Sequence, residues 1–176
     1  SARPDATPSL TRPLEHVALI ELQRPQASNR LQPGDLARLG AHLDAVARDP
    51  EVHALVLASR GPQFCTGYDL RALVADLSTG DTSARGESAF EAVADRLAAL
   101  RVVTVVAIQG AVMGGATDLA LACDLRLGTP DAELQMPAAR FGLPLYASAL
   151  QRYVTRLGVD QAKRLVLLAE KIDAAE

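Results

Sequence analysis

The chain has 176 residues, 49% of them apolar and only 3% aromatic, with no Trp and a formal net charge of −3. That length suits one domain whose core is built from Leu, Val, Ala and Ile. The charge argues against nucleic-acid binding through bulk positive charge, and no apolar run reaches the length of a membrane-spanning helix. No signal-peptide pattern opens the sequence, and its two cysteines, Cys65 and Cys123, lack metal-ligand spacing. A reduced, cytoplasmic protein without a bound metal is the expectation.

Residues 1–13, SARPDATPSLTRP, read as a flexible lead-in, and residues 14–176 as one core domain. HVALIEL (16–22) is an apolar strand candidate, and RPQASNRLQPGD (24–35) interrupts it with two prolines and a glycine. Leu36, Leu39, Leu43 and Val46 recur at helical spacing. VHALVLA (52–58) reads as a buried strand, and SRGPQFCTGYD (59–69) as a loop. LSTGDTSARGE (77–87) is polar and expected to be mobile, and Phe90, Val93, Leu97 and Leu100 mark a second helix. VVTVVAIQG (102–110) is a β-branched strand, followed by a helix from Gly114 or Gly115. DLRLGT and AELQM are short strand candidates, and the chain reads as helical from Tyr146 onward. Strands with continuous apolar runs alternating with helices predict a parallel sheet covered by helices, an α/β fold. The last residues, LLAEKIDAAE, carry no capping or turn chemistry, so a missing or incomplete C-terminal segment is expected.

The segment AIQGAVMGGATDLALACDLR (107–126) places two glycines before an apolar helix and a lone Asp118 inside it. Glycines between strand and helix let backbone approach a ligand, and the first helical amides lack intrahelical partners. With the helix dipole they favour an anion, or an oxygen that becomes one during reaction. The alternative is that Gly114 and Gly115 only allow tight strand–helix packing. The spacing of GAVMGGA and its late position argue against a dinucleotide fingerprint. FCTGYDL (64–70) also follows a buried strand, and two amides from two strand ends can converge on one carbonyl oxygen.

GPQFCTGYDLRAL and AIQGAVMGGATDLALACDLRLGT resemble the two signature segments of the crotonase, or enoyl-CoA hydratase/isomerase, superfamily. LIELQRPQASNRL resembles its N-terminal strand and turn, and MPAARFGLPLYASALQRYVTRLG its later Pro-containing stretch and helix. The resemblance runs from about Val17 to the last residue. It implies a core of ββα units wound into a superhelix, truncated here before the C-terminal helices. It also implies an acyl-CoA substrate, fatty acid metabolism, and assembly as homotrimers or hexamers. No prosthetic group is implied; coenzyme A enters as part of the substrate.

Carried over by position, the resemblance makes the backbone amides of Tyr68 and Gly115 the oxyanion hole for a thioester enolate, and Asp118 the first catalytic carboxylate. Without the resemblance, Asp118 is equally a first-turn Asp satisfying the helix dipole. The family's second carboxylate position is Ala138, so two-carboxylate hydration is not expected and isomerisation or a related enolate reaction is. Tyr146, in a segment similar to that of a decarboxylase branch, is a further catalytic candidate; otherwise it caps or packs its helix. The alternatives are an acyl-CoA decarboxylase and a non-catalytic acyl-CoA-binding member. For coenzyme A, the turn RPQASNR offers backbone at Gln26 and Ala27, Arg24 or Arg30 for phosphates, and Gly114 beside the thioester. The cluster Arg140, Arg152, Arg156, Lys163 and Arg164 reads as a coenzyme or subunit contact, or as a solvated face. Cys65 and Cys123 are expected to pack.

Overall fold

A computed structural model of the chain describes residues 7–69 and 85–176. The first sheet has five strands, β1 (Ser9–Leu14), β2 (Val17–Leu22), β3 (Ala54–Ser59), β4 (Val103–Ile108) and β6 (Leu125–Gly128), hydrogen-bonded in that order. β1 runs antiparallel to β2, and the remaining neighbours are parallel. The second sheet joins β5 (Ala111–Met113) to β7 (Glu133–Gln135) in parallel and β7 to β8 (Lys171–Asp173) antiparallel. Among the described residues the helices are α1 (Pro33–Arg48), α2 (Arg85–Ala98), α3 (Gly115–Ala122), α4 (Ala147–Leu157) and α5 (Val159–Leu167).

The central strands follow their residue pattern. Ala18, Ile20 and Leu22 of β2 and Leu55 and Leu57 of β3 are buried and alternate with half-buried positions, as a pleated strand requires. α1 buries Leu36, Leu39, Leu43 and Val46, the residues its spacing singles out. Its start is built by Pro33 at the first turn and by Asp35, whose carboxylate accepts the Gln32 amide at 2.8 Å. α3 is buried from Ala116 to Ala122. A helix buried on nearly every side belongs inside the core, and α3 runs on from the end of β5 with α2 and α4 packed against it.

Three expectations are corrected. Residues 9–13 are not a flexible lead-in: β1 pairs along β2, with Leu10 opposite Ile20 and Leu14 opposite Val17. Backbone pairing there outweighs the Pro and Thr content, since an edge strand tolerates proline. The chain is not helical throughout from Tyr146: Gly158, at φ +79°, separates α4 from α5, and β8 then returns to the second sheet. The segment read as mobile over 77–87 is helical from Arg85, and its residues 77–84 lie outside those described. Among the described residues no helix is long and apolar enough to cross a membrane.

Candidate active site

The second sheet is where the two glycine-bearing segments meet. Cys65 bridges Val112 in parallel fashion, and the Met113 amide donates to the Cys65 carbonyl at 2.9 Å. On its other side the same segment is tied to Leu31, whose amide donates to the Gly67 carbonyl at 2.8 Å. The chain thus runs from Leu31 across Tyr68 to the end of β5, where the Gly114 amide donates to the Gln135 carbonyl at 2.9 Å.

Each glycine answers a separate need. Gly67 has φ +85°, and a Cβ there would sit 2.7 Å from the Met113 carbonyl oxygen and 3.5 Å from the Gly115 amide nitrogen. Gly114 caps α3 at φ +58°, a conformation that favours glycine. A Cβ on Gly115 would lie 2.5 Å from the Phe90 ring. Close approach and packing therefore both operate. The glycines bring the loop at Tyr68 against the N-terminus of α3, whose first amides have no partner within the helix, and they seat Phe90 over Gly115. Tyr68 and Phe90 meet edge to face at 6.5 Å between centroids.

These groups form one end of a cavity of about 250 Å³. Phe90, Met113, Met136, Phe141, Leu143 and Leu145 make it apolar, and Thr66, Asp118 and Tyr146 contribute polar side chains. Ala138 contributes its methyl group to the same wall. An apolar cleft with a few convergent polar groups is the usual form of a small-molecule site.

Asp118 lies in the first turn of α3 with its side chain 1% exposed. Its Oδ2 accepts the Tyr146 hydroxyl at 2.5 Å and Arg152 Nη2 at 2.8 Å, and Oδ1 accepts Arg152 Nε at 2.7 Å. Arg152 Nη1 donates onward to Asp95 Oδ1 at 2.6 Å. Asp118 is thus neither a helix cap nor an isolated carboxylate. Burial first, and then the neighbouring Asp118 charge, push the Tyr146 phenol well above its ordinary range, so Tyr146 stands as a hydrogen-bond donor. Tyr68, Gly114, Gly115, Asp118 and Tyr146 all line the cavity.

The turn residues expected to meet coenzyme A do not line it. Arg24 is turned inward: Nη1 and Nη2 reach the two Asp35 oxygens at 2.5 and 3.1 Å, and Nη1 also donates to the Arg30 carbonyl. Its side chain is only 12% exposed and is held in an ion pair beneath α1. Arg30 is exposed and pairs with Asp69 at 3.3 Å. Gln26 is exposed and Ala27 half-buried in the short 3-10 turn Pro25–Ala27. Asn29 anchors this turn: Oδ1 accepts the Arg24 amide, and Nδ2 donates to the carbonyls of Arg60 and Gln63. Cys65 is buried, with its thiol donating to the Asn29 carbonyl at 3.0 Å, and burial pushes that thiol up to about 12. It packs, as expected. Among the described residues no group of three or more His, Cys, Asp or Glu is placed to hold a metal ion.

Arg152 is the site residue that sequence reasoning misses. As part of a basic cluster on an amphipathic helix it reads as a solvated, coenzyme or subunit residue. Its partner Asp118 lies 34 residues away, and no local spacing links them. Arg140 and Arg164, from the same cluster, bond the Ala169 carbonyl and the Glu170 and Glu176 carboxylates respectively.

The family model for enoyl-CoA hydratase/isomerase matches residues 13–176. The Bacillus subtilis (strain 168) protein YngF, which carries the enoyl-CoA hydratase/isomerase name, is 32% identical over 163 residues, 92% of this chain and 62% of YngF. Among solved structures, Pseudomonas aeruginosa AtuE is 33% identical with a TM-score of 0.88, covering 96% of this chain and 65% of AtuE. An enoyl-CoA hydratase/isomerase from Marinobacter aquaeolei is 28% identical with a TM-score of 0.87, covering 96% and 66% of the two chains. The chain therefore spans less than two thirds of the length of these relatives.

Proposed function

The chain belongs to the enoyl-CoA hydratase/isomerase family and has its crotonase-type α/β fold, and we propose that it binds an acyl-CoA thioester and works on it through the enolate. The thioester oxygen is received by the amides of Tyr68 and Gly115, at the end of the cavity where Gly67 meets Gly115. When the α-carbon loses a proton, its electron pair moves onto that oxygen. Fixed amide donors stabilise the charge there more than they stabilise the ground-state carbonyl, by about 3 kcal/mol per good donor.

Asp118 is the group that takes the proton, with the Tyr146 hydroxyl beside it. For a 3-enoyl thioester, the proton leaves C2 for Asp118 and returns to C4, and the double bond ends between C2 and C3. One acid/base unit suffices for this shift. Adding water across the double bond ordinarily uses two cooperating acid/base groups, and Ala138 offers only a methyl. The observation that carries the reading is the hydrogen bond between Tyr146 and Asp118 on the wall of an apolar cavity that Ala138 also lines.

The reading is tested with a panel of saturated, 2-enoyl, 3-enoyl, dienoyl and malonyl-type CoA thioesters, offered to the protein and to Asp118→Asn and Tyr146→Phe. Positional isomerisation of enoyl thioesters that Asp118→Asn abolishes supports the reading. Turnover that survives Asp118→Asn unchanged removes Asp118 from it. Ala138, which puts only a methyl group on the cavity wall, favours a second reading, an acyl-CoA-binding protein without turnover. Tight thioester binding with no reaction of any panel member identifies that case, and carbon dioxide release from the malonyl-type members identifies a decarboxylase.

A further inference from the structure

Arg152 joins three helices through one guanidinium. It stands on α4, its Nε and Nη2 donate to both oxygens of Asp118 on α3, and its Nη1 donates to Asp95 on α2. Ser148, one turn earlier on α4, lies 3.4 Å from Nη2 and 3.4 Å from Glu91 of α2. Side-chain exposure rises along the line from 1% at Asp118 to 11% at Arg152 and 46% at Asp95. The cation therefore sits between a fully buried carboxylate and a half-exposed one.

A carboxylate has about four acceptor positions, two on each oxygen. Oδ2 uses two, for Tyr146 and Arg152 Nη2, whereas Oδ1 uses one, for Arg152 Nε. We infer that Arg152 is a positioning residue for the enolate chemistry. Its planar fork fixes the plane of the Asp118 carboxylate, fills Oδ2 together with Tyr146, and leaves Oδ1 as the oxygen that accepts the α-proton. This inference rests on the enolate reading and adds to it the identity of the accepting atom and the side chain that aims it. The geometry matters because proton transfer needs the base within about 2.6–3.2 Å of its target. A displacement of about 1 Å can cost on the order of 100-fold in rate.

A residue that only neutralised a buried charge could be replaced by any cation. Lysine supplies the charge as a single point and lacks the two-pronged grip. Arg152→Lys therefore separates the two roles. The measurement is exchange of the α-protons of a saturated, straight-chain acyl-CoA with deuterium oxide, followed by NMR on the full chain, with thioester affinity measured by calorimetry. Arg152→Lys should retain affinity within about threefold while exchange falls at least ~30-fold. Exchange at the wild-type rate overturns the inference, and so does an equal loss of affinity and rate, which marks a structural role.

If Arg152→Lys does not fold, Asp95→Asn provides the reading, since it leaves both contacts to Asp118 and removes only the outer anchor. It should lower exchange roughly three- to tenfold at unchanged affinity, and unchanged exchange overturns the inference. Absence of exchange in the wild-type protein overturns the enolate reading and this role with it. Wild-type exchange that Arg152→Lys leaves intact overturns the role alone.

Discussion

Arg152 meets Asp118 edge to edge, with Nε 2.7 Å from Oδ1 and Nη2 2.8 Å from Oδ2, across 34 residues of chain. Two nearly dry charges in this geometry support each other, and each becomes costly when the other is removed. Asp118→Asn alone should destabilise the protein by about 3 kcal/mol, as should Arg152→Gln alone. The double substitution should cost clearly less than their sum, with a coupling of at least ~2 kcal/mol in a urea-unfolding cycle. Additive losses would show that the pair does not act as a unit.

The glycines at the cavity end differ in what they tolerate. Gly115→Ala drives a methyl group into the buried Phe90 ring, a side-chain and not a backbone obstruction, and should cost about 2 kcal/mol. In a Phe90→Leu background that cost should fall by roughly half, because the obstruction is smaller. Gly67→Ala meets the Met113 carbonyl oxygen at 2.7 Å and must also hold φ at +85°. It should cost at least ~2 kcal/mol in either background, since no side-chain change relieves a backbone clash. Thermal unfolding of the four variants checks the contrast.

Tyr146 should ionise only far into the alkaline range, because burial and the Asp118 charge both disfavour the phenolate. Asp118→Asn removes that charge, so the ionisation of Tyr146 should move down towards the ordinary tyrosine value of about 10. An ultraviolet titration of tyrosinate, with Tyr146→Phe assigning the component, follows it. An upward movement in Asp118→Asn would contradict the arrangement.

Asp124, six residues beyond Asp118, serves the sheet rather than the cavity. Its Oδ2 accepts the Thr104 amide and hydroxyl, each at 2.8 Å, and chiefly the amide holds its carboxyl below the usual range. A depressed folded-state value gives stabilisation that is full above the unfolded value of about 3.9 and is lost as pH falls through the lower folded one. Asp124→Asn should therefore be less stable than wild type at pH 7, and the gap should close as pH drops below about 4. A gap that widens on acidification would refute the assignment.

The parallel strands were legible because β2, β3 and β4 are short apolar runs, rich in β-branched residues in β4 and bounded by turn signals. Gly67, Gly114 and Gly115 were legible as places of close backbone approach, although the packing of Phe90 on Gly115 was not, since it joins two helices distant in sequence. β1 and β8 were hidden: one is an edge strand containing proline, and the other is three residues long with only Ile172 buried. Asp118 stood out as a carboxylate in an apolar helix, but its partner looked like any surface arginine. Arg24 reads from the sequence as a phosphate candidate, and its pairing with Asp35 is not legible there; the pair forms because a carboxylate buried at the start of α1 is costly without a cation beside it.

In the proposed enolate reading, Asp118 takes a proton from the carbon next to a thioester held by this cavity. Deuterium exchange at the α-carbon of a saturated acyl-CoA measures that step alone, without requiring the natural product to be known. Exchange is expected with the wild-type protein, with a loss of at least ~100-fold in Asp118→Asn at preserved thioester affinity. Exchange that proceeds at the same rate in Asp118→Asn, or thioester binding without any exchange in the wild type, would contradict it.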